Sequence, residues 1–369
     1  MGAWLLAVVA LGAATADGGK TVFLFRHCVR SINESALTQY AADPFPAYGV
    51  PADYCLPRGL SIFQGIGAQL RSSVGPSPSI IADAVARNID SAHALAAGLG
   101  LPASAVQVDS APFAHCDAPS KDEKNKLILE RFRTVPRPAN WSGMIAAIDT
   151  VLGGATKIAS QPDKVEDGSF KGESALAADA AESFMMQLGG GLDVGWGQVS
   201  DAEAYRLLAM QVYNWAVTRR ISKLERAKSS RMLAAILTAL APDTVSGYNN
   251  NNNNRILDPD MATPAGSDTT VFLGHDTDVN GVGTILDIGW SAPPFPDNTT
   301  APSVALRFAT DGGTIAIDFV YTRLELGTGA LQSTPIANLT VANFCETVAG
   351  AVDWSCATKP KTSVCSGYD

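Results

Sequence analysis

Short apolar runs that end abruptly in charged residues are the clearest pattern along the chain. Thr21-Val22-Phe23-Leu24-Phe25 carries no charge and gives way to Arg26-His27-Cys28-Val29-Arg30. Thr270-Val271-Phe272-Leu273 has the same form and ends in Gly274-His275-Asp276. Runs of this length predict buried parallel strands. The polar residues then lie at the carboxyl end of the sheet, where open α/β sheets hold their ligands. Ser79-Ile80-Ile81-Ala82 is a third short strand. Stretches 305–308 and 314–321, separated by Asp311-Gly312-Gly313, predict a hairpin.

Helical spacing accounts for much of the rest. It predicts helices over 59–72 and 91–99, the second ending at Gly100. The segment 32–59 between the first strand and the first helix is polar and proline-rich, and reads as a loop over that strand's end. Between 112 and 241 strand patterns vanish. Helices are predicted over 173–188, stopped by Gly189-Gly190-Gly191, and over 231–240, stopped by Pro242. Ser200-Asp201-Ala202-Glu203 is a capping box. It opens a helix with Leu208, Val212 and Trp215 on one face. Six asparagines, Asn249 to Asn254, cannot pack a core and predict a disordered loop. A last helix is predicted over 341–352. The chain thus reads as an α/β protein with a mostly parallel central sheet flanked by helices. Its core is formed by 17–111 and 255–369, with an α-helical insertion at 112–241 and an Asn-rich loop at 242–254.

Composition narrows the function classes. The chain has 369 residues, 46% hydrophobic and 17% charged, enough to bury a large core. A net charge of −9 argues against a nucleic-acid partner, which requires a basic face. Residues 3–14 are almost purely apolar, and Ala14-Thr15-Ala16 is a small-x-small cleavage site. Residues 1–16 therefore read as an export signal, and no membrane span is expected in the mature chain. Six cysteines (Cys28, Cys55, Cys116, Cys345, Cys356, Cys365) suit an oxidising compartment, and none shows the C-x-x-C spacing of a zinc site. Asn33, Asn140, Asn298 and Asn338 each open a glycosylation sequon.

Two of only four histidines follow the strand-like runs. A tight turn at a strand end can aim Arg26, His27 and Arg30 at one point. Guanidinium forks match phosphate oxygens, and a neutral imidazole between them can attack phosphorus. His275 adds a second imidazole, and Asp276 a carboxyl able to protonate a leaving oxygen and then activate water. The blander readings are a basic surface turn and a helix-capping aspartate. Two such ends in one sheet favour chemistry. His93 and His115 have no motif context and read as structural. A cysteine phosphatase is excluded, because Cys-x5-Arg would need arginine where Glu34 stands.

Arg-His-x-x-Arg near one end and His-Asp near the other resemble the histidine acid phosphatases (clade-2 histidine phosphatases), and among them the bacterial periplasmic phytases. Supporting stretches are Leu56-Pro57-Arg58-Gly59, Ile80-Ile81-Ala82-Asp83, Ala96-Ala97-Gly98-Leu99, Gly195-Trp196-Gly197, Gly274-His275-Asp276-Thr277 and Pro296-Asp297-Asn298-Thr299. They follow the family's order along essentially the whole mature chain. The resemblance implies an acid phosphatase, secreted or in the secretory-pathway lumen (the periplasm, if bacterial), acting on phosphomonoesters, with phytate among the candidate substrates. It implies that His27 becomes phosphohistidine and Asp276 donates the proton. Arg26, Arg30, Arg87 and His275 would bind the phosphate, Arg87 by its place in Asp83-Ala84-Val85-Ala86-Arg87. No metal or cofactor is implied, since three arginines neutralise the charge. The family's habit also suggests Cys116–Cys356, leaving Cys345–Cys365.

Three positions depart from the family pattern. Cys28 stands in place of a glycine that lets backbone approach the ligand. It pairs with Cys55 across the pocket rim or is a buried thiol. Ile32 replaces a proline. Glu34 replaces a phytase lysine, and a carboxylate there favours ordinary phosphomonoesters over phytate. Cys28 also motivates the alternative of a catalytically impaired relative that binds phosphate or a partner.

Overall fold

The structure, a computed structural model, describes residues 19–240, 267–311, 313–353 and 355–356. The predicted signal (1–16), the Asn-rich loop (242–254) and Cys365 lie outside the described residues.

Among the described residues nine strands form, seven of them in one sheet. They are β1 (Thr21–Arg26), β2 (Ser79–Ala82), β3 (Val106–Val108), β4 (Lys164–Glu166), β5 (Ser169–Lys171), β6 (Thr269–Gly274), β7 (Ala305–Asp311), β8 (Thr314–Thr322) and β9 (Leu331–Thr340). The main sheet runs β3-β2-β6-β1-β7-β8-β9. The first four are parallel, and β7, β8 and β9 each pair antiparallel to the strand before. Five of the seven therefore point one way. The two apolar runs are neighbours at the centre, in the register Thr21↔Thr269 to Arg26↔Gly274. Both are buried on both faces, which is why they read as continuous apolar runs rather than alternating ones.

Helices α1 (Pro57–Leu70) and α2 (Ala86–Leu99) follow β1 and β2. Pro57 opens α1, where a missing N–H costs nothing. The two helices cross closely through glycines. A Cβ at Gly98 would lie 2.1 Å from the Gln64 carbonyl, and one at Gly67 2.2 Å from that of Leu95. Helices α3 (Lys121–Thr134), α4 (Trp141–Leu152), α5 (Glu173–Gly190), α6 (Asp201–Thr218) and α7 (Ser222–Leu240) fill the stretch between β3 and β6. Ser200 caps α6 by accepting from the Glu203 N–H at 3.2 Å. Helices α8 (Asp276–Ile285) and α9 (Val341–Ala351) complete the set.

Several elements differ from the sequence expectation. The middle stretch is not free of strands: β4 and β5 form a separate two-stranded ribbon. Each has three residues, too few to show a period. On α6, Leu208 is buried but Val212 and Trp215 are only half-buried, and Tyr205, Leu207 and Met210 carry the core face instead. Helix α7 begins nine residues before the predicted start at 231, and α2 five before 91. Strand β9 was not expected, since its partly buried residues do not alternate and it contains Pro335.

Cys28 is bonded to Cys55 and Cys116 to Cys356. No described cysteine is free. Among the described residues no helix is long and apolar enough to cross a membrane. Of the sequon asparagines, Asn33, Asn140 and Asn338 are exposed. Asn298 is half-buried, its Oδ1 accepts from the Trp290 N–H at 3.1 Å, and Thr300 of the same sequon is fully buried.

Candidate active site

Sheet register assembles the site. The His27 N–H donates to the Gly274 carbonyl at 2.9 Å, and the Asp83 N–H to the Leu273 carbonyl at 3.1 Å. The chain therefore leaves β1, β2 and β6 at one level. Arg26-His27, Asp83 and His275-Asp276 converge at the carboxyl ends of three adjacent parallel strands. Helix α2 brings Arg87 and Asn88 from the side. Gly274 keeps the turn tight, because a Cβ there would lie 2.5 Å from Asp278 Oδ2 and 2.7 Å from the Phe113 ring. All six predicted site residues reach this mouth.

His27 is buried, and its Nδ1–H donates to the Cys28 carbonyl at 2.9 Å. That bond fixes the tautomer, so Nε2 carries the lone pair. Burial holds the imidazole well below its usual pKa, helped by the guanidiniums of Arg26, Arg87 and Arg30. The ring is thus a neutral base among cations. Cys28 is buried with its side chain in the disulfide, and its N–H donates to Ser91 Oγ at 2.9 Å. Ser91 Oγ in turn donates to the Arg87 carbonyl at 2.6 Å, which ties the His27 turn to α2.

His275 stands across from His27, the rings edge to face with centroids 5.6 Å apart. Arg87 Nη2 donates to its Nδ1 at 3.3 Å. Its Nε2–H donates to Asp83 Oδ2 at 3.0 Å, and the Asn88 amide lies 3.0 Å from the same Nε2. Burial lowers its pKa, the Asp83 hydrogen bond opposes that shift, and Arg87 adds to the lowering. Asp278 caps α8 by accepting from the His275 N–H at 2.7 Å, and burial raises its carboxyl to about 7.

Arg26 is completely buried. Its Nη1 donates to the Thr300 carbonyl, and its Nη2 lies 3.0 Å from Glu182 Oε1 and 3.5 Å from Asp276 Oδ2. Arg30 reaches Asp53 at 3.0 Å and the same Glu182 oxygen at 3.7 Å. Burial pushes the Asp276 carboxyl up, but Arg26, Arg219 and Arg30 outweigh it and hold the group below its usual value. Without a ligand, Asp276 is an anion.

Glu182, Asp53, Asn88 and Ser91 were missed by sequence reasoning. Glu182 sits mid-helix on α5 with no motif around it, and only the fold brings it to Arg26. Asp53 lies in the turn-rich loop before Cys55. Asn88 and Ser91 follow Arg87 on one side of α2, so helical spacing from Arg87 was the available signal. His93 is exposed on α2. His115 is exposed but lies within electrostatic reach of His275 and Asp83.

The sheet presents two imidazoles and three guanidiniums at its carboxyl edge, and the chain is similar in sequence and in fold to histidine acid phosphatases. No family model matches the chain. Over 135 residues, 36% of the chain, it is 27% identical to phytase AppA of Escherichia coli (strain K12). That match spans 28% of the relative's length. Among solved structures, the phytase from Citrobacter braakii superimposes with a TM-score of 0.74 at 20% identity, covering 92% of this chain and 99% of that one. The Hafnia alvei phytase in complex with myo-inositol hexakis sulphate gives 0.77 at 19% identity, with the same coverage. These structural likenesses establish the fold.

Proposed function

We propose that the protein hydrolyses phosphomonoesters through a covalent phosphohistidine on His27. The observation that carries this reading is the neutral, tautomer-fixed His27 among three guanidiniums. Arg26, Arg30 and Arg87 take the phosphoryl oxygens, and His275 joins them. His27 Nε2 attacks phosphorus as the bond to the ester oxygen breaks. Asp276 gives its proton to that oxygen, which departs as the alcohol, and Asp276 remains as a carboxylate. Water then attacks phosphorus, Asp276 takes its proton, the P–N bond breaks and inorganic phosphate departs. Asp276 is held ionised by Arg26, so it must gain a proton as the ligand arrives. A phosphoryl dianion that engages Arg26 and Arg30 removes the charge that depresses the carboxyl, and acidic solution assists. No step draws on a metal or cofactor.

The substrate class is small phosphomonoesters rather than phytate, because Glu34 and Glu182 place carboxylates beside the clamp. Export follows from residues 1–16 together with two disulfides. The competing reading, a relative that binds phosphate without turnover, drew on Cys28. Its thiol is turned into the disulfide, and its carbonyl is what orients His27, which favours catalysis. The deciding experiment is hydrolysis of 4-nitrophenyl phosphate near pH 5, with acid-labile phosphate trapped on His27. Well-folded protein that binds phosphate yet shows no turnover between pH 3 and 8 would establish the non-catalytic reading instead.

A further inference from the structure

Beside the clamp, a cavity of about 250 Å³ is lined by Arg30, Ile32, Glu34, Asp53, Asp179 and Glu182, among others. Arg30 is the one cation in that lining, against four carboxylates. It is also already engaged, by Asp53 at 3.0 Å and Glu182 at 3.7 Å. Glu182 and Asp276 likewise face Arg26. Two guanidiniums therefore meet three carboxylates before any ligand enters. A phosphoryl group that takes Arg26 and Arg30 leaves Glu182 and Asp53 unpaired next to a dianion. Like charges brought together in a half-buried site oppose binding unless a proton or another cation joins them.

We propose that the cation comes with the substrate: the ester's alcohol part carries a positively charged nitrogen, as in an amino-alcohol phosphate, and seats it in this cavity. The inference rests on the phosphatase reading of the clamp. The cavity's place supports it, since Arg30 belongs to both and a short alcohol suffices to span from one to the other. Its extension supports it too. The adjoining hollow of about 630 Å³ shares Ile32, Asn33 and Glu34, adds Asp43, and has no lysine or arginine in its lining. Glu34 is held in place by Tyr48 Oη at 2.8 Å and Ser183 Oγ at 2.9 Å, so the acidic wall is prepared rather than incidental. Arg219, which acts electrostatically on Asp276, is in neither lining. A cationic alcohol is thus drawn to the acidic cavity, where a polyanion meets no cation but the already engaged Arg30 among the described residues.

The test compares 2-aminoethyl phosphate with its uncharged isostere n-propyl phosphate, using the full chain. The kcat/KM ratio should favour the amine by about tenfold, the scale of one or two partly screened charge pairs. The preference should shrink in high salt. With the assay kept above pH 7, so that Asp179, which burial and the neighbouring Glu182 raise to about 6, is ionised, Asp179→Asn should bring the ratio down toward one, as should Glu34→Gln. A ratio at or below one in wild type, or one that neither variant changes, overturns the proposal even while 4-nitrophenyl phosphate is hydrolysed. If that aryl ester is not hydrolysed at all, the phosphatase reading fails separately. The charge preference is then read by calorimetry of the two esters, where equal affinities overturn it and tighter binding of the amine sustains it.

Discussion

Strands β1 and β6 lie side by side and each ends in a histidine, yet the two imidazoles are held in opposite ways. His27 is buried, bonds to a backbone carbonyl and is ringed by guanidiniums. His275 is more open, with one nitrogen on the Asp83 carboxylate and the other on Arg87. A carbonyl partner fixes which nitrogen holds the lone pair without supplying charge. A carboxylate partner steadies a proton instead. The residue type is the same, and on the proposed mechanism the partner decides whether the ring attacks or binds.

That contrast can be broken by substitution. His27→Ala should abolish turnover of 4-nitrophenyl phosphate, by at least about 10⁴-fold, because no other group replaces the nucleophile. His275→Ala should cost about 10²-fold, as loss of one charge-stabilising donor does. Equal losses at the two positions, measured as kcat/KM, would erase the distinction. Asp276→Asn should depend on the leaving group. An alkyl phosphate should lose about 10²-fold or more in the first chemical step, whereas nitrophenolate leaves readily without a proton and its burst phase should be nearly preserved. A burst lost equally for both esters would remove Asp276 from the donor's role.

The smallest effect concerns stability. A histidine whose folded-state pKa lies below its unfolded value takes up its proton on unfolding. His27 therefore contributes stability that is complete above the ordinary value of 6.5 and is lost as pH falls through the depressed one. His275, also lowered, acts in the same direction. The urea midpoint of the free protein should fall between pH 7 and pH 4, and His27→Gln should flatten that slope. A slope that His27→Gln leaves unchanged would show that the ring is not held neutral.

The sheet's centre and the convergence of Arg26, His27, His275 and Asp276 were legible because both motifs sit at a strand's end, whereas Arg87 comes from α2 and was reached through the resemblance. Arg26, His27, His275 and Asp276 need only the strand's end to be positioned, and a buried parallel strand is a readable pattern. Glu182 was not legible. It belongs to a helix whose buried face includes Ala177, Ala181 and Phe184, and nothing local distinguishes it from any exposed glutamate. Asp53 owes its role to Arg30, a long-range contact made by a loop without periodicity. The unforeseen strand β9 has partial burial on both faces, so its apolar and polar positions carry no period of two. The carboxylates that set the charge balance of the site were thus the least visible part of it.

The pairing of β1 has a consequence for how the protein is made. Both of its neighbours, β6 and β7, come from residues 269–311. During synthesis the apolar strand that bears His27 emerges among the first segments, yet it has no partner edge until most of the chain has followed. Non-local pairing of this kind folds slowly and leaves an adhesive strand exposed meanwhile. A chain released early, short of β6, would have His27 but neither the strand edge that holds it nor His275 and Asp276 beside it.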